Sequence, residues 1–178
     1  TDKTGTLTEG KMEVTTIYTN GKFNPLKEKE TLLEIGVLCN KARIEKHEKG
    51  EYFIGDPTEN ALIKAAQNNF IDKQELTSRQ PKIKEFVFNS ERKIMAVLRK
   101  KDRKIISYVE GAPETIIQRC SYELIGGRKI KLEQKDKIRL HAIYELMAKK
   151  GLRVLGFAYK EFPIYSEKIT QEESETNL

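Results

Sequence analysis

Cysteine, histidine and tryptophan are scarce in this chain of 178 residues, and each scarcity closes a line of chemistry. The two cysteines, Cys39 and Cys120, form no metal-ligand spacing and no disulfide framework, which points to a reducing compartment. His47 and His141 stand alone, too few and too separated for a zinc site. No apolar run approaches the roughly 20 residues of a spanning helix, and the opening residues lack the charged-then-apolar order of a signal peptide. Any service to a membrane is therefore expected from a soluble piece. Proline and glycine are modest and no repeat or long low-complexity tract occurs, so the chain is not fibrous.

What is present is globular. Hydrophobic residues make up 38% and charged ones 34%, enough for one domain with a core. The net charge of +6 is interspersed; its densest basic pairs, Lys100-Lys101 and Lys149-Lys150, have no interleaved aromatics. That pattern describes a solvated basic surface, so no nucleic-acid partner is expected and the chain is expected to be a monomer.

Periodicity outlines the elements. A strand is expected over Met12–Thr19, closed by the Asn20-Gly21 turn, then a helix over Glu28–Lys41 and a hairpin turning near Lys49-Gly50. Asp56, Pro57 and Glu59 provide a cap, a first-position proline and a capping-box carboxylate for a helix. Three strands follow in "KIKEFVF", "KIMAVLR" and "KIISYVE", then a helix from Pro113 to about Arg119 and a Gly126-Gly127 turn. A long amphipathic helix runs from about Glu133 to Lys150, and "RVLGFAY" is the last strand. Residues 161–178 carry five glutamates against one lysine and are expected to be mobile or linking. The fold class is α+β, a mostly antiparallel twisted sheet flanked by helices.

Two phosphate-handling signatures overlap in the opening "TDKTGTLTEGKM". The spacing G-x-x-x-x-G-K from Gly5 is that of a P-loop. A P-loop needs Ser or Thr after its lysine and a helix facing the phosphates; here Met12 follows Lys11 and β-rich sequence follows that. That reading fails. The alternative, D-K-T-G-T-L-T from Asp2 to Thr8, resembles the phosphorylation motif of P-type ion-pumping ATPases at all seven positions. A carboxylate can attack the γ-phosphorus of ATP to form an acyl phosphate, splitting one hard hydrolysis into two steps. Gly5 lets backbone come close to the phosphoryl group, and Lys3, Thr4 and Thr6 supply charge and donors. Simple phosphatases of the wider haloacid-dehalogenase-like superfamily carry a second Asp two places on, as acid/base. Thr4 lacks that function, so the acyl phosphate can persist.

Four further segments, "GDPTENAL", "FNSERKIMAV", "GAPE" and "GLRVLGFAY", resemble in order the ATP-binding domain of calcium and sodium/potassium pumps. The resemblance implies a phosphorylation-motif stub and outgoing hinge over 1–11, the nucleotide domain over 12–160 and an acidic return hinge over 161–178. It implies that Asp2, Lys3 and Thr4 belong to the catalytic motif and that Asp2 and the Thr4 carbonyl share a magnesium ion. Phe88 would stack on adenine, and Glu59 would receive the adenine amino group, a role compatible with capping. Lys93 would lie near adenine or phosphate, and Arg153 would reach the phosphates. Gly111 and Ala112 would let backbone approach the nucleotide, Pro113 opens a helix whose N-terminus favours anions, and Arg92 would pair elsewhere.

Two positions depart from the family pattern. Glu110 stands where many relatives have Lys, and Ser90 where some calcium pumps have Arg. A unit charge at about 4 Å is worth up to about 4 kcal/mol before screening at an effective dielectric near 20. A carboxylate for an ammonium is therefore expected to weaken ATP binding, unless Glu110 pairs with Lys93 or Arg153. The resemblance further implies ATP and magnesium as cofactors. Phosphorylation, actuator and transmembrane domains would be partners, and the chain would work at the cytoplasmic face of a membrane. Alone, without the third magnesium carboxylate, it is not expected to turn over. A phosphatase and a basic binding module for nucleic acid or anionic lipid are the competing readings.

Overall fold

The computed structural model describes residues 11–25, 29–47, 50–166 and 168–178. The motif residues Asp2, Lys3 and Thr4 lie outside them. A short ribbon pairs β1 (Tyr18–Thr19) with β2 (Lys22–Phe23) across Asn20 and Gly21, whose φ values of 54° and 72° are those a two-residue hairpin turn requires. Helix α1 spans Glu30–Leu38, and the hairpin of β3 (Arg43–His47) and β4 (Gly50–Ile54) follows. Helix α2 covers Pro57–Gln67; Asp56 caps it by accepting from the Thr58 N–H at 2.8 Å. Helix α3 (Lys73–Arg79) was not evident from periodicity, although Asp72 caps it through the Glu75 N–H.

The centre is an antiparallel four-stranded sheet. It is built from β5 (Lys82–Asn89), β6 (Ile94–Lys101), β7 (Lys104–Gly111) and, after an interval, β10 (Gly156–Pro163), in the order β10-β7-β6-β5. Between β7 and β10 lie α4 (Pro113–Arg119), the hairpin of β8 (Tyr122–Ile125) and β9 (Arg128–Lys131), and α5 (Gln134–Lys149). Glu133 and Asp136 close a capping box at the start of α5. The last helix, α6, covers Gln171–Glu175.

Alternation divides the sheet into two faces. Met95, Val97, Ile106 and Tyr108 point to one and pack with Ile35, Leu38 and Cys39 of α1. Ile94, Ala96, Val109 and Ala158 point to the other, with Ile116 of α4 and Leu178. The expected α+β architecture is thus present, but two expectations need correction. The strand over Met12–Thr19 shrinks to Tyr18–Thr19, because among the described residues no neighbouring strand completes a ladder with 11–17. They are held by side-chain contacts instead, such as Glu13 with Lys64 at 2.8 Å and Thr58 with the Met12 sulfur at 3.5 Å. The acidic end is docked in part: β10 runs through to Pro163, and Ile169, Ser174, Glu175 and Leu178 are buried. One of its glutamates, Glu175, is paired with arginines where it docks, as described below. Smaller differences are that α1 is shorter than expected at both ends and that β10 starts only at Gly156.

Candidate functional site

One end of the central sheet gathers most of the expected site residues. The register aligns Gly156, Gly111, Ile94 and Asn89 across the four strands. Phe88 is the penultimate residue of β5, just beside that row, Lys93 precedes β6, Ala112 follows β7, and Arg153 lies three residues before β10. Phe88 is 58% exposed, an aromatic ring left free at the rim of the sheet. The strand is irregular between Phe86 and Asn89, which breaks the strict alternation at Val87 and Phe88.

The turn carrying Lys93 is tightly made. The Asn89 side chain accepts from the N–H of Glu91 at 2.7 Å and of Arg92 at 3.2 Å, and the Lys93 N–H donates to the Asn89 carbonyl at 2.7 Å. Lys93 itself has φ 58°, a left-handed conformation that turns the chain into β6. Its ammonium pairs with Glu114 in the first turn of α4 at 3.3 Å. The helix start expected to favour anions thus already faces a carboxylate–lysine pair. Gly111 serves the protein's own backbone: a Cβ there would sit 2.3 Å from the Lys93 carbonyl oxygen. The Ala112 N–H donates to that same oxygen at 2.9 Å. The close approach of these strands is by itself enough to require a glycine here.

Glu59 does not close a capping box. Its carboxylate accepts from the Lys41 N–H at 3.2 Å, while Asp56 alone serves the start of α2. Burial works against the Asp56 charge, but the N–H groups of Thr58 and Glu59 and the charge of Arg153 hold its carboxyl below the usual range. Arg153 is therefore near enough to the start of α2 for its charge to act on Asp56.

Glu110 lies directly across from Met95 on β6 and Phe157 on β10, on the α1 face. Burial first, and the neighbouring Glu59 charge in the same direction, together push its carboxyl up to about 8. It therefore pairs with neither Lys93 nor Arg153. At neutral pH it is largely uncharged, so the expected two-charge swing shrinks to the absence of one cation. Ser90 is exposed in the β5–β6 turn, where no contact gives it a further role.

Beyond Glu110 the same face opens into a cleft of about 780 Å³ between the end of α1, α3 and the β5–β6 pair. Arg99 crosses its floor, donating to the carbonyls of Leu38 at 3.0 Å and Gln80 at 2.8 Å. Lys73 donates to the carbonyls of Asn40 at 2.8 Å and Ala42 at 2.7 Å, and burial pulls its ammonium down to about 8. Neither residue carried a signal in the sequence, since each is tied to backbone carbonyls that only folding brings near. Among the described residues no group of three or more His, Cys, Asp or Glu side chains could hold a metal ion. The expected magnesium ligands Asp2 and Thr4 lie outside those residues.

Residues 28–178 match the family model of the P-type ATPase cytoplasmic domain N. The chain is 35% identical to a calcium-transporting ATPase of Bacillus subtilis over 99% of its own length and 22% of that relative. It is 34% identical to calcium-transporting ATPase 1 of Bacillus cereus over 90% of the chain and 18% of the relative. A sodium/potassium-transporting ATPase subunit alpha-4 of Rattus norvegicus is 30% identical over 91% of the chain and 18% of the relative.

This chain belongs to the P-type ATPase cytoplasmic N-domain family. It spans about a fifth of the length of the curated relatives it matches. The family implies nucleotide binding, and the N domain's central sheet is what brings Phe88, Lys93, Glu110, Gly111 and Ala112 to one edge. Among the described residues no helix is long and apolar enough to cross a membrane.

Proposed function

We propose that this N domain binds ATP at the sheet end marked by Phe88 and presents its γ-phosphate to Asp2 of a P-type pump. The observation that carries the reading is the exposed Phe88 ring beside the Lys93 turn, with Glu110 and Glu59 behind it. An aromatic face accepts a purine by stacking, worth about 1–3 kcal/mol per base. Glu59, already accepting from Lys41, has a second oxygen for the adenine amino group. Lys93 supplies a cation that can leave its exposed partner Glu114 for phosphate, and Arg153 a second cation further along. With Glu110 neutral, the pocket lacks a cation that many relatives have, which supports weak binding to the isolated domain.

In the complete pump the Asp2 carboxylate would attack the γ-phosphorus, expelling ADP and leaving an aspartyl phosphate. Magnesium held by Asp2, the Thr4 carbonyl and a group from elsewhere would neutralise charge on the transferring phosphoryl group. Lys3 would act beside it. Tethering the two ends of ATP to separate domains would raise the effective affinity well above that of either alone. The named relatives favour calcium as the transported cation.

The test is an NMR titration of the 178-residue chain with ATP, ADP and AMP, with and without magnesium, beside Phe88→Ala. Shifts at Glu59, Phe88, Lys93 and Gly111 that saturate at high-micromolar to millimolar nucleotide, and that vanish in the variant, support the reading. Shifts scattered over the surface, or equal in the variant, would sink it.

A further inference from the structure

The most deeply buried charge in the described structure has no part in the site above. Glu175, in α6, is 1% exposed. A carboxylate withdrawn from water must be paired, and removing one partner of such a pair is far more disruptive than removing a surface pair. Its partners are Arg92, in direct ion-pair contact, and Arg119 of α4 at 3.7 Å. One of the glutamates of the acidic end is thus neutralised inside the protein.

Arg92 is not a bystander to the nucleotide site. It sits between Phe88 and Lys93 in the β5–β6 turn, and its second terminal nitrogen donates to the Val87 carbonyl at 2.6 Å. Gln171, with its amide oxygen toward the guanidinium, accepts from Nε at 2.8 Å. One planar group therefore fastens the backbone beside Phe88 to two residues of α6, in the fork geometry that suits arginine and not lysine. The Asn89 bonds make residues 89–93 a single unit, so what fixes Arg92 also fixes Lys93. From the other side, Lys160 donates to the carbonyls of Glu173 and Thr176 at 2.9 Å each, and the Ser107 hydroxyl donates to the Ser174 carbonyl at 2.9 Å. The segment is thus docked along one sheet face, with its only contact to the site loop made through Arg92 among the bonds described.

We propose that Glu175 is a positioning residue for nucleotide binding: through Arg92 it sets the loop bearing Phe88 and Lys93, and seating of residues 169–178 and occupancy of the site favour one another. The proposal rests on the nucleotide reading above. Its logic is reciprocal, since whatever the seated segment adds to nucleotide affinity, nucleotide returns to the seating.

The experiment measures ATP affinity of the 178-residue chain, Glu175→Gln, Arg92→Ala and the double variant, well below their melting temperatures. Each single variant is expected to weaken ATP by about fivefold or more, with the double variant no worse than the weaker single one. In the unmodified chain, saturating ADP is expected to slow amide exchange across residues 171–178. A purely structural pair would lower the melting temperature while leaving affinity and exchange unchanged, and that result overturns the proposal. Should the variants fail to fold, the exchange comparison in the unmodified chain decides. Should no nucleotide bind at all, the nucleotide reading fails, and the ligand-free amide shifts of Glu175→Gln decide the remaining link. Changes reaching residues 87–93 uphold it; changes confined to α6 and Arg119 overturn it.

Discussion

On one face of the central sheet, alternation presents Met95, Val97, Tyr108 and Phe157 to α1, but it also places Arg99 and Glu110 there. On the other face the same strands present Ile94, Ala96, Val109 and Ala158 to α4 and the chain end, joined by Leu98 and Ile105. The first face adjoins a cleft, with Arg99 buried on backbone carbonyls at its floor; the second is sealed by the last ten residues. Polar groups on the sealed face, such as Ser107, are satisfied within the protein, as burial requires. The difference separates the two sides of one sheet: the open face adjoins a cleft, while the sealed face is packed beneath it.

The largest expected effect breaks the sealed face. Leu178 is 6% exposed and packs in the cluster of Ile94, Val109, Ile116 and Ala158. Leu178→Ala is expected to remove about 2–4 kcal/mol by leaving a cavity, seen as a lower denaturant midpoint at unchanged slope. A loss below about 0.5 kcal/mol, the size of a surface change, would mean that this face is not one continuous core.

A smaller effect probes the open face. Glu110 titrates near 8 in the folded chain against 4.5 as a free side chain. The folded state therefore holds a proton that the unfolded chain has already lost, and stability falls as pH rises from 4.5 to 8, then levels off. The charged or titratable groups facing it are Glu59 of α2 and Cys39 at the end of α1, whose thiol burial also keeps uncharged. Glu110→Gln is expected to remove this slope and to stabilise the chain by about 1–3 kcal/mol above pH 8. Lys73 acts with the opposite sign from about 8 upward, so the test is the difference between the two proteins in urea melts at pH 5, 7 and 8.5. Parallel pH profiles would show that Glu110 is as open to water as a surface carboxylate.

The faces themselves were legible in sequence because "KIMAVLR" and "KIISYVE" are flanked by turn residues and filled with β-branched or bulky apolar side chains. What composition could not express was pairing. Residues 12–17 have strand propensity without a neighbouring strand among the described residues, so there only Tyr18–Thr19 joins a ladder. The chain end looked mobile from its glutamates alone. Its docking depends on Arg92, 83 residues earlier, and Arg119, 56 residues earlier than Glu175. At the site, motif spacing identified which residues gather at the sheet end. It could not show that Lys93 would face Glu114, that Arg153 would answer Asp56, or that Glu110 would be left beside another acid.

The smallest expected effect on stability sharpens the contrast most, because it lies where the open face meets the rim. Phe88 and Phe86 are two residues apart on β5, yet Phe86 packs against the sealed-face clusters while Phe88 keeps 58% of its surface in water. Truncating a packed phenylalanine removes about 3–5 kcal/mol, whereas an exposed one leaves stability within about 0.5 kcal/mol. Phe88→Ala is therefore expected to melt like the unmodified protein while losing at least about tenfold in ATP affinity, the lower end of what a stacked base contributes. A large ring kept in water without structural return is what a stacking site demands of a fold. If the variant instead unfolded as readily as a Phe86 truncation, the ring would belong to the core and could not also be the surface on which adenine lies.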